Sequence, residues 1–358
     1  MARTHLTLAA LATSAVDGLD VTQATPAGSA TQGDFDSALL TARDGRKLII
    51  RVPTGQAAET EQSADLIALR ALTAGIRSRL PFDVPTYLGQ TPISGTRAVV
   101  YDYLPGSPLR VENVGAGDGL GGSVGRAIAA IHALPTAFVG EAGLPVLSAA
   151  ECLSSTEALI ETATGTGLVP TALRDRWRTA VRDADLWQFQ PTVINGALTA
   201  ESFLVEGETV VGVLGWSVLR VGDPARDLHW VLSMNTDAAE STLGSYTAAR
   251  RAPTDRQFTH RALLYAELEV ARWLLHGREL HDQSIVDDAV HMLDGLVDRV
   301  HTNTADPLFT ATGPVLAVAD VEELLGRTPG DRSGDDYSPS DGMKPMRDDQ
   351  SEESSSSE

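Results

Sequence analysis

Residues 195–205 read NGALTAESFLV, and residues 213–216 read VLGW. The apolar runs in and around these two stretches have the length of short buried strands, and small or polar residues separate them. We therefore predict strands at residues 192–198, 202–205 and 210–214. The quoted residues then lie at the ends of strands and in the turns between them, where functional side chains concentrate in proteins.

The two quoted stretches resemble the catalytic loop and the metal-binding strand of the aminoglycoside and macrolide phosphotransferase family. In that family the loop reads roughly His-Gly-Asp-Leu-x-x-x-Asn, and the next strand carries Ile-Asp-Trp. The positions of the His, the catalytic Asp, the metal-binding Asn and the metal-binding Asp correspond here to Asn195, Ala197, Ser202 and Gly215. Phosphoryl transfer needs a side chain that orients the attacking group and oxygen ligands for magnesium. The resemblance thus implies degenerate motifs, with no catalytic and no metal-binding residue at these positions.

Other parts of the chain extend this resemblance to roughly residues 20–300. Gly196, Leu198 and Trp216 match the family pattern, and residues 222–228 read GDPARDL, as in the family. Further matching segments are the third strand at 44–53, the start of the fourth strand at 80–85, the hinge at 99–109 and the first helix of the second lobe at 125–135. The resemblance implies an α+β, bilobal, protein-kinase-like fold, with an antiparallel sheet and one helix in the small lobe and a mainly α large lobe.

We predict three regions along the chain. A small kinase-like lobe spans 1–104 with an opening helix at about 5–15, and a large, mainly helical lobe spans 105–329. Residues 330–358 form an acidic, Ser-rich tail, in which acidic residues far outnumber basic ones and apolar residues are almost absent. Such a segment cannot bury enough apolar surface to offset the entropy lost on ordering, so the tail is predicted to be disordered.

Apolar residues at helical spacing predict the helices. In the small lobe this spacing indicates a single helix, which contains Leu66, Leu69, Leu72 and Ile76. In the large lobe, Gly277 is predicted to cap the end of a long helix. Residues 117–122, GDGLGG, have the spacing of a dinucleotide-binding glycine motif, but no strand precedes them, and a flexible linker is predicted there.

The resemblance implies a nucleotide site between the lobes, with ATP bound together with weak magnesium or none, or no cofactor at all. Its residues would be Arg51, Asp65, Tyr101, Asp102, Tyr103 and Leu104. Arg51 stands at the position of the phosphate-contacting base, and a guanidinium presents a fork of donors that matches phosphate oxygens. Without a ligand, Arg51 would form an ion pair with Asp65, and Glu61 is the other acid considered for this role. The hinge would offer backbone groups to adenine, although it is also needed to join the lobes.

Two functions follow from these residues. One is a catalytically impaired phosphotransferase-like protein, a pseudo-phosphotransferase, that acts as a binding or regulatory module for a nucleotide, a small molecule or a protein partner. The alternative is an active ATP-dependent phosphotransferase of a small hydroxyl or amino substrate that uses substituted residues. Glu201 is the acid nearest to the metal-binding positions and would serve such an enzyme. Asp223 and Asp227 are predicted to cap and brace helix ends rather than to bind metal.

Bulk composition argues against several partners. A formal net charge of −20 repels nucleic acid and anionic membrane surfaces, and no apolar run approaches the about 20 residues of a membrane span. Cys152 is the only cysteine, so an internal disulfide is impossible and a reducing compartment is expected. Residues 6–12 have the apolar character of a short signal peptide, but the opening helix is the favoured interpretation, and we predict a cytoplasmic protein.

Overall fold

The computed structural model describes residues 3–27, 34–250 and 255–302, and the side chains of 299–302 are not described. Within these ranges an antiparallel sheet occupies the N-terminal part, and helices dominate the C-terminal part. This arrangement confirms the predicted α+β, bilobal, kinase-like fold. The tail predicted at 330–358 lies outside the described residues. None of the helices within these ranges combines the length and the apolar character that a membrane crossing requires.

Five strands form the sheet of the small lobe: β1 (Val21–Pro26), β2 (Phe35–Ala42), β3 (Lys47–Pro53), β4 (Tyr87–Ile93) and β5 (Thr96–Asp102). Their order across the sheet is β1-β2-β3-β5-β4, and all neighbours are antiparallel. The turn between β2 and β3 contains Gly45 with a φ of 87°, a conformation that glycine adopts without steric cost. Ser37 lies opposite Arg51, which places the side chains of Phe35 and Arg51 on the same face of the sheet.

Three helices accompany the sheet: α1 (His5–Ala15), α2 (Gln56–Ala71) and α3 (Ala74–Arg77). α1 covers the face of the sheet opposite to Arg51, where Leu8 is buried in one cluster with Leu40. The end of α1 comes so close to β4 that a Cβ added to Gly89 would lie 2.0 Å from the carbonyl oxygen of Ala15. A side chain at residue 89 would therefore displace α1.

The helix predicted to continue through Ile76 is interrupted in the structure. α2 ends at Ala71, and Ile76 belongs to the separate α3. The side chain of Arg77 explains the break, because it donates hydrogen bonds to the carbonyl oxygens of Leu69 and Leu72 at 3.2 and 2.6 Å. Carbonyl groups at the end of a helix have no partner within the helix, and Arg77 supplies one. Helical periodicity alone does not reveal such a side-chain cap.

The large lobe continues with helices α4 (Leu120–His132), α5 (Ala137–Glu141), α6 (Ala149–Gly165), α7 (Thr171–Arg182), α8 (Thr236–Ala249), α9 (Phe258–Leu280) and α10 (Gln283–Thr302). Its short strands are β6 (Ser107–Pro108), β7 (Thr192–Ile194), β8 (Phe203–Glu206), β9 (Thr209–Val213) and β10 (Arg220–Gly222). β6, β8 and β9 form one sheet, and β7 pairs with β10. β7 ends at Ile194 rather than at residue 198, because the chain turns at Gly196 with a φ of 89°.

Glycines within α4 mark a close helix crossing. A Cβ added to Gly125 would lie 2.3 Å from the carbonyl oxygen of Thr242 in α8. Gly121 and Gly122 form the first turn of α4, so the linker predicted at 117–122 is wrong in its second half. The absent side chains allow α4 and α8 to pack backbone against backbone.

The predicted C-cap at Gly277 is also wrong. α9 continues to Leu280 and ends at His281, whose φ of 56° is left-handed. A Cβ added to Gly277 would lie 2.8 Å from Cγ2 of Ile285 in α10. Gly277 therefore serves the packing of α9 on α10 and not the end of a helix.

Buried apolar side chains hold the two lobes together. One cluster combines Leu66 of α2 and Val99 of β5 with Phe203 and Trp216 of the large lobe. A second cluster lies within the helical end of the molecule, around Trp273. Because the first cluster is shared, burial of apolar surface fixes α2 and the small-lobe sheet against the loop that follows β7.

Candidate functional site

The loop after β7 is held by a buried carboxylate. Asp227 accepts the backbone N–H groups of Asn195 and Gly196, each at 2.7 Å and each on a different oxygen. A Cβ added to Gly196 would lie 2.7 Å from the carbonyl oxygen of Val218, so glycine is required in this turn. Ala197, at the position of the catalytic Asp, follows the turn and is exposed. Asp227 thus holds the loop through two hydrogen bonds, and the loop exposes only a methyl group at residue 197.

Asp223 and Asp227 have different roles. Asp223 accepts the N–H of Ala225 at 3.0 Å and caps the short 3-10 helix Pro224–Asp227, as predicted. It also forms a buried ion pair with Arg261 at 2.6 Å. Asp227 braces the loop after β7 instead of a helix end. The two aspartates of the sequence motif GDPARDL are therefore structural: one caps a 3-10 helix and the other holds the loop after β7.

A buried hydrogen-bond chain extends from Asp227 to α8. In His132, Nε2 lies 3.2 Å from a carboxylate oxygen of Asp227, and Nδ1 lies 2.9 Å from the hydroxyl of Tyr246. The Tyr246 oxygen accepts a hydrogen bond from Arg250 at 2.6 Å. This pattern assigns the proton to Nε2, because the carboxylate can only accept, and Tyr246 then donates to Nδ1. Burial lowers the pKa of His132 although Asp227 opposes the shift, so the ring is neutral at pH 7.

Asn195 connects the loop to the end of β9. Its side chain is buried, with Nδ2 donating to the carbonyl oxygen of Gly215 at 2.7 Å and Oδ1 accepting the N–H of Ala197 at 3.1 Å. Both polar atoms of the side chain are engaged inside the protein. Asn195 is therefore a structural bridge between the two sequence stretches that resemble the family motifs.

Ser202 lies in the 3-10 helix Ala200–Ser202, and its hydroxyl caps this turn. Oγ accepts the N–H of Thr199 at 3.2 Å, and the carbonyl oxygen accepts the N–H of Leu214 at 2.8 Å. The second hydrogen bond brings residues 202 and 215 close together. Glu201, in the same turn, is exposed. The fold thus brings together the two positions at which the resemblance implies metal ligands, but the side-chain oxygen that Ser202 supplies is used in the cap.

Gly215 stands at the other position where the resemblance implies a metal-binding side chain, and as a glycine it has none to offer. Its φ is 69°, and a Cβ added there would meet no atom within 4 Å. Asp and Asn tolerate this left-handed conformation better than other residues with side chains, so an aspartate would fit. In the described part of the chain, no group of three or more His, Cys, Asp or Glu side chains is placed to hold a metal ion. The residues present here do not fit magnesium.

The predicted ion pair between Arg51 and Asp65 is wrong. The guanidinium of Arg51 stacks on Phe35, 3.8 Å from the ring centroid, and no carboxylate of the described residues lies within ion-pair distance of it. Asp65 instead accepts the backbone N–H of Trp216 at 2.8 Å. Burial raises the pKa of Asp65, and this N–H and the charge of Arg51 oppose the rise. The acid therefore ties α2 to the chain after Gly215 and leaves Arg51 available to an anion.

The hinge, Tyr101–Leu104, leaves one backbone donor for a ligand. The N–H groups of Asp102 and Tyr103 are donated to carbonyl oxygens elsewhere in the small lobe, at 3.0 and 3.1 Å. The N–H of Leu104 has no acceptor among the residues that the structure describes. Tyr101 is buried, and burial raises the pKa of its phenol. Of the residues predicted for a nucleotide site, Leu104 thus keeps an unused backbone N–H, and Arg51 keeps a guanidinium without a carboxylate partner among the described residues.

A recess of about 910 Å³ lies beside the hinge, lined by parts of residues 77–86, 102–105 and 209–211. It does not include Arg51 or Ala197. Because the recess contains Leu104 but neither of these two residues, it covers only the hinge side of the predicted site. We therefore assign the site to the cleft that contains the loop after β7.

Sequence reasoning missed Phe35 as a partner of Arg51 and Asp227 as the brace of the loop. The first could have been found from the hairpin, because a turn at Gly45 fixes the register of β2 against β3 and places both side chains on one face. The second depends on a contact between residues 32 positions apart in the chain. Spacing in the sequence carries no signal for such a contact.

A family model described as "Phosphotransferase enzyme family" matches residues 30–263 of this chain. The chain belongs to the phosphotransferase enzyme family. The chain is similar in sequence to the uncharacterized protein YcbJ of Bacillus subtilis strain 168, with 24% identity over 208 residues. That match covers 54% of this chain and 65% of YcbJ, so the chain spans slightly less than two thirds of its curated relative.

Solved phosphotransferase structures share this architecture. The apoenzyme of macrolide 2'-phosphotransferase MphH from Brachybacterium faecium is 23% identical, with a TM-score of 0.65, over 80% of this chain and 97% of that one. The GDP complex of wild-type aminoglycoside 2'-phosphotransferase-IIIa is 18% identical, with a TM-score of 0.66, over 82% and 98%. A streptomycin and ATP complex of APH(2")-IIa is 15% identical, with a TM-score of 0.56, over 82% and 97%. At these identities the likeness shows the fold.

Proposed function

We propose that this protein is a phosphotransferase-family member that has lost magnesium-dependent phosphoryl transfer and acts as a binding or regulatory module. The observation that carries the proposal is at residue 215, where a left-handed glycine with open space in front of it replaces a magnesium ligand. Ala197 and Ser202 add to the loss, because neither offers a carboxylate. A phosphoryl-transfer site without metal and without a residue to orient the acceptor lacks its main sources of charge stabilisation.

The same cleft retains features that suit a nucleotide. Leu104 offers a backbone N–H, and Arg51 offers a guanidinium that has no carboxylate partner among the described residues. Structural neighbours were solved with GDP and with ATP, which supports nucleotide binding here by similarity of fold. We propose ATP or a related small molecule as the ligand, held without a firmly bound magnesium ion, in a cytoplasmic protein.

Calorimetric titration with ATP, with and without magnesium, tests the binding part of this proposal. We expect saturable binding whose dissociation constant changes less than about threefold on adding magnesium. A phosphate-release assay with aminoglycosides and macrolides tests the catalytic part. Turnover near the about 1 to 100 per second of ordinary kinases would disprove the loss of activity.

The active alternative makes a separate prediction. It needs Glu201 to replace the missing metal ligand, so any phosphate release should disappear in Glu201→Ala. The exposed position of Glu201 and the use of Ser202 Oγ in a cap argue against this arrangement. A measurable activity that is lost in Glu201→Ala but retained in Glu206→Ala, an exposed acid of β8, would favour the alternative.

A further inference from the structure

Two arginines lie beside the residue that precedes Ala197. Nε of Arg226 donates to the carbonyl oxygen of Gly196 at 3.0 Å. Arg220 lies at the start of β10, opposite Ile194 at the end of β7, and a Cβ added to Gly196 would be 3.3 Å from its Nε. Guanidinium groups therefore lie next to the residue that precedes Ala197, the position at which the resemblance implies a catalytic carboxylate.

A third arginine, Arg272 of α9, joins this group through a shared acid. Glu269 lies 3.5 Å from Nη2 of Arg226 and 3.0 Å from Nε of Arg272. Burial alone would raise the pKa of Glu269, but the surrounding positive charges, with Arg226 first, lower it. One carboxylate thus serves two arginines, and the side chains of Arg226 and Arg272 remain 18% and 40% exposed.

Arg220 has no acidic partner among the described residues. Its Nε donates to the carbonyl oxygen of Val218 at 3.2 Å, and no carboxylate lies within ion-pair distance. Of the nearby acids, Asp223 pairs with Arg261, and Asp227, whose charge partly opposes the lowering of the pKa of Arg220, accepts the N–H groups of the loop and lies outside ion-pair distance of Arg220. Burial and the charge of Arg226 both lower the pKa of Arg220. A half-buried cation without a counter-ion is costly for the folded protein, and an anion would relieve that cost.

We propose that Arg220, together with Arg226 and Arg272, binds a compact oxyanion, the carboxylate or phosphate group of a small molecule in the cleft beside Ala197. A guanidinium holds such groups through two parallel hydrogen bonds. A ligand that carries only amino groups would instead be repelled. The assignment to the substrate side of the cleft rests on the proposed function, whereas the anion site itself does not.

Titration of the nucleotide-free protein with inorganic phosphate and, separately, with acetate tests this proposal at constant ionic strength in chloride. We expect saturable binding that weakens at least tenfold in Arg220→Gln and Arg272→Gln, with Arg220→Lys between these variants and the wild type. Arg178→Gln, at a partly exposed arginine of α7 near Glu161, is the matched control and should bind as the wild type does. Tighter binding of phosphate would indicate a phosphate ester as the natural ligand, and tighter binding of acetate a carboxylic acid.

Two further measurements keep the result decisive. The melting temperature of Arg220→Gln in chloride buffer should equal or exceed that of the wild type, because an uncompensated charge has been removed, which shows that weaker binding does not reflect unfolding. Arg51→Gln removes the guanidinium proposed for the nucleotide phosphates and should retain the phosphate binding that depends on Arg220. Loss of binding in Arg51→Gln with retention in Arg220→Gln would place the phosphate at the nucleotide position and overturn the anion site, while leaving the proposed nucleotide binding intact. Absence of saturable binding to the wild type would overturn it as well.

Discussion

The carboxylate of Asp65 accepts the backbone N–H of Trp216 at 2.8 Å and thereby joins α2 of the small lobe to the chain that follows Gly215. Both partners are buried. A buried N–H without an acceptor costs about 1–3 kcal/mol. We therefore expect Asp65→Ala to lower the free energy of unfolding by about that amount, and Asp65→Asn, which keeps an acceptor oxygen, to lower it much less. Urea denaturation at pH 7 measures both, and equal losses would show that the hydrogen bond is unimportant.

The same carboxylate predicts a pH dependence. Because the pKa of Asp65 is raised in the folded protein, the folded state binds its proton more tightly than the unfolded chain does. Relative to Asp65→Asn, the free energy of unfolding of the wild type should therefore increase as the pH falls from about 7 toward about 4. Denaturation of both proteins across this range measures the difference. A difference that grows in the opposite direction would contradict the assignment of burial as the dominant cause.

Introducing a carboxylate at residue 215 should introduce a response of ATP binding to magnesium. The backbone there is already left-handed and the space is open, so Gly215→Asp combined with Ser202→Asn should fold with a loss of no more than about 1–2 kcal/mol. Metal ligation contributes several kcal/mol, so we expect magnesium to tighten ATP binding by about tenfold or more in this variant. Calorimetry with and without magnesium measures this effect. Gly215→Ala combined with Ser202→Asn is the control, and an equal response in the control would refute the role of the new carboxylate.

His132 should make the protein sensitive to mild acid. Its pKa is lowered in the folded state, so the unfolded chain binds the proton more tightly, and stability is lost as the pH falls below about 6.5. The loss approaches about 1.4 kcal/mol per pH unit for one such histidine. His132→Gln should flatten this slope, and adding His229→Gln, at a second buried histidine with a lowered pKa, should flatten it further. An unchanged slope in both variants would show that other groups control acid unfolding.

Two glycines in the interior of helices offer a matched comparison. A Cβ added to Gly277 would lie 2.8 Å from Cγ2 of Ile285. A Cβ added to Gly244 of α8 would meet no atom within 4 Å. Gly277→Ala should therefore destabilise the protein by about 1–3 kcal/mol through overpacking. Gly244→Ala should stabilise it by about 0.5–1 kcal/mol, because alanine favours the helix. Thermal unfolding distinguishes the two, and similar shifts in both variants would refute the packing role of Gly277.

The sequence was sufficient for the fold because its motifs are local. Runs of neighbouring residues indicate the strands of the small lobe, the hinge and the loop after β7. The positions of Ala197, Ser202 and Gly215 follow from one short alignment to the family motifs. The sequence predicts a helix cap at Gly277 and the structure shows a helix crossing, because a glycine needed for a crossing and a glycine needed for a helix end look the same in a single sequence.

The candidate site was less predictable because its interactions join distant parts of the chain. The carboxylate of Asp65 could in principle bind Arg51 or a backbone N–H, and only the folded structure shows that it accepts the N–H of Trp216. The arginines around Gly196 come from β10, a 3-10 helix and α9, so no motif unites them. Charge clusters of this kind depend on tertiary packing, and periodicity does not encode them.

The apolar cluster that combines Leu66 and Val99 with Phe203 and Trp216 also limits motion. A rigid-body rotation of one lobe away from the other would expose these side chains to water and break the link from α2 to the chain after Gly215. We therefore expect the cleft to keep its shape when a ligand binds, without closure of one lobe onto the other. Binding in such a cleft loses little free energy to reorganisation, and the association rate should depend on access and charge rather than on lobe closure.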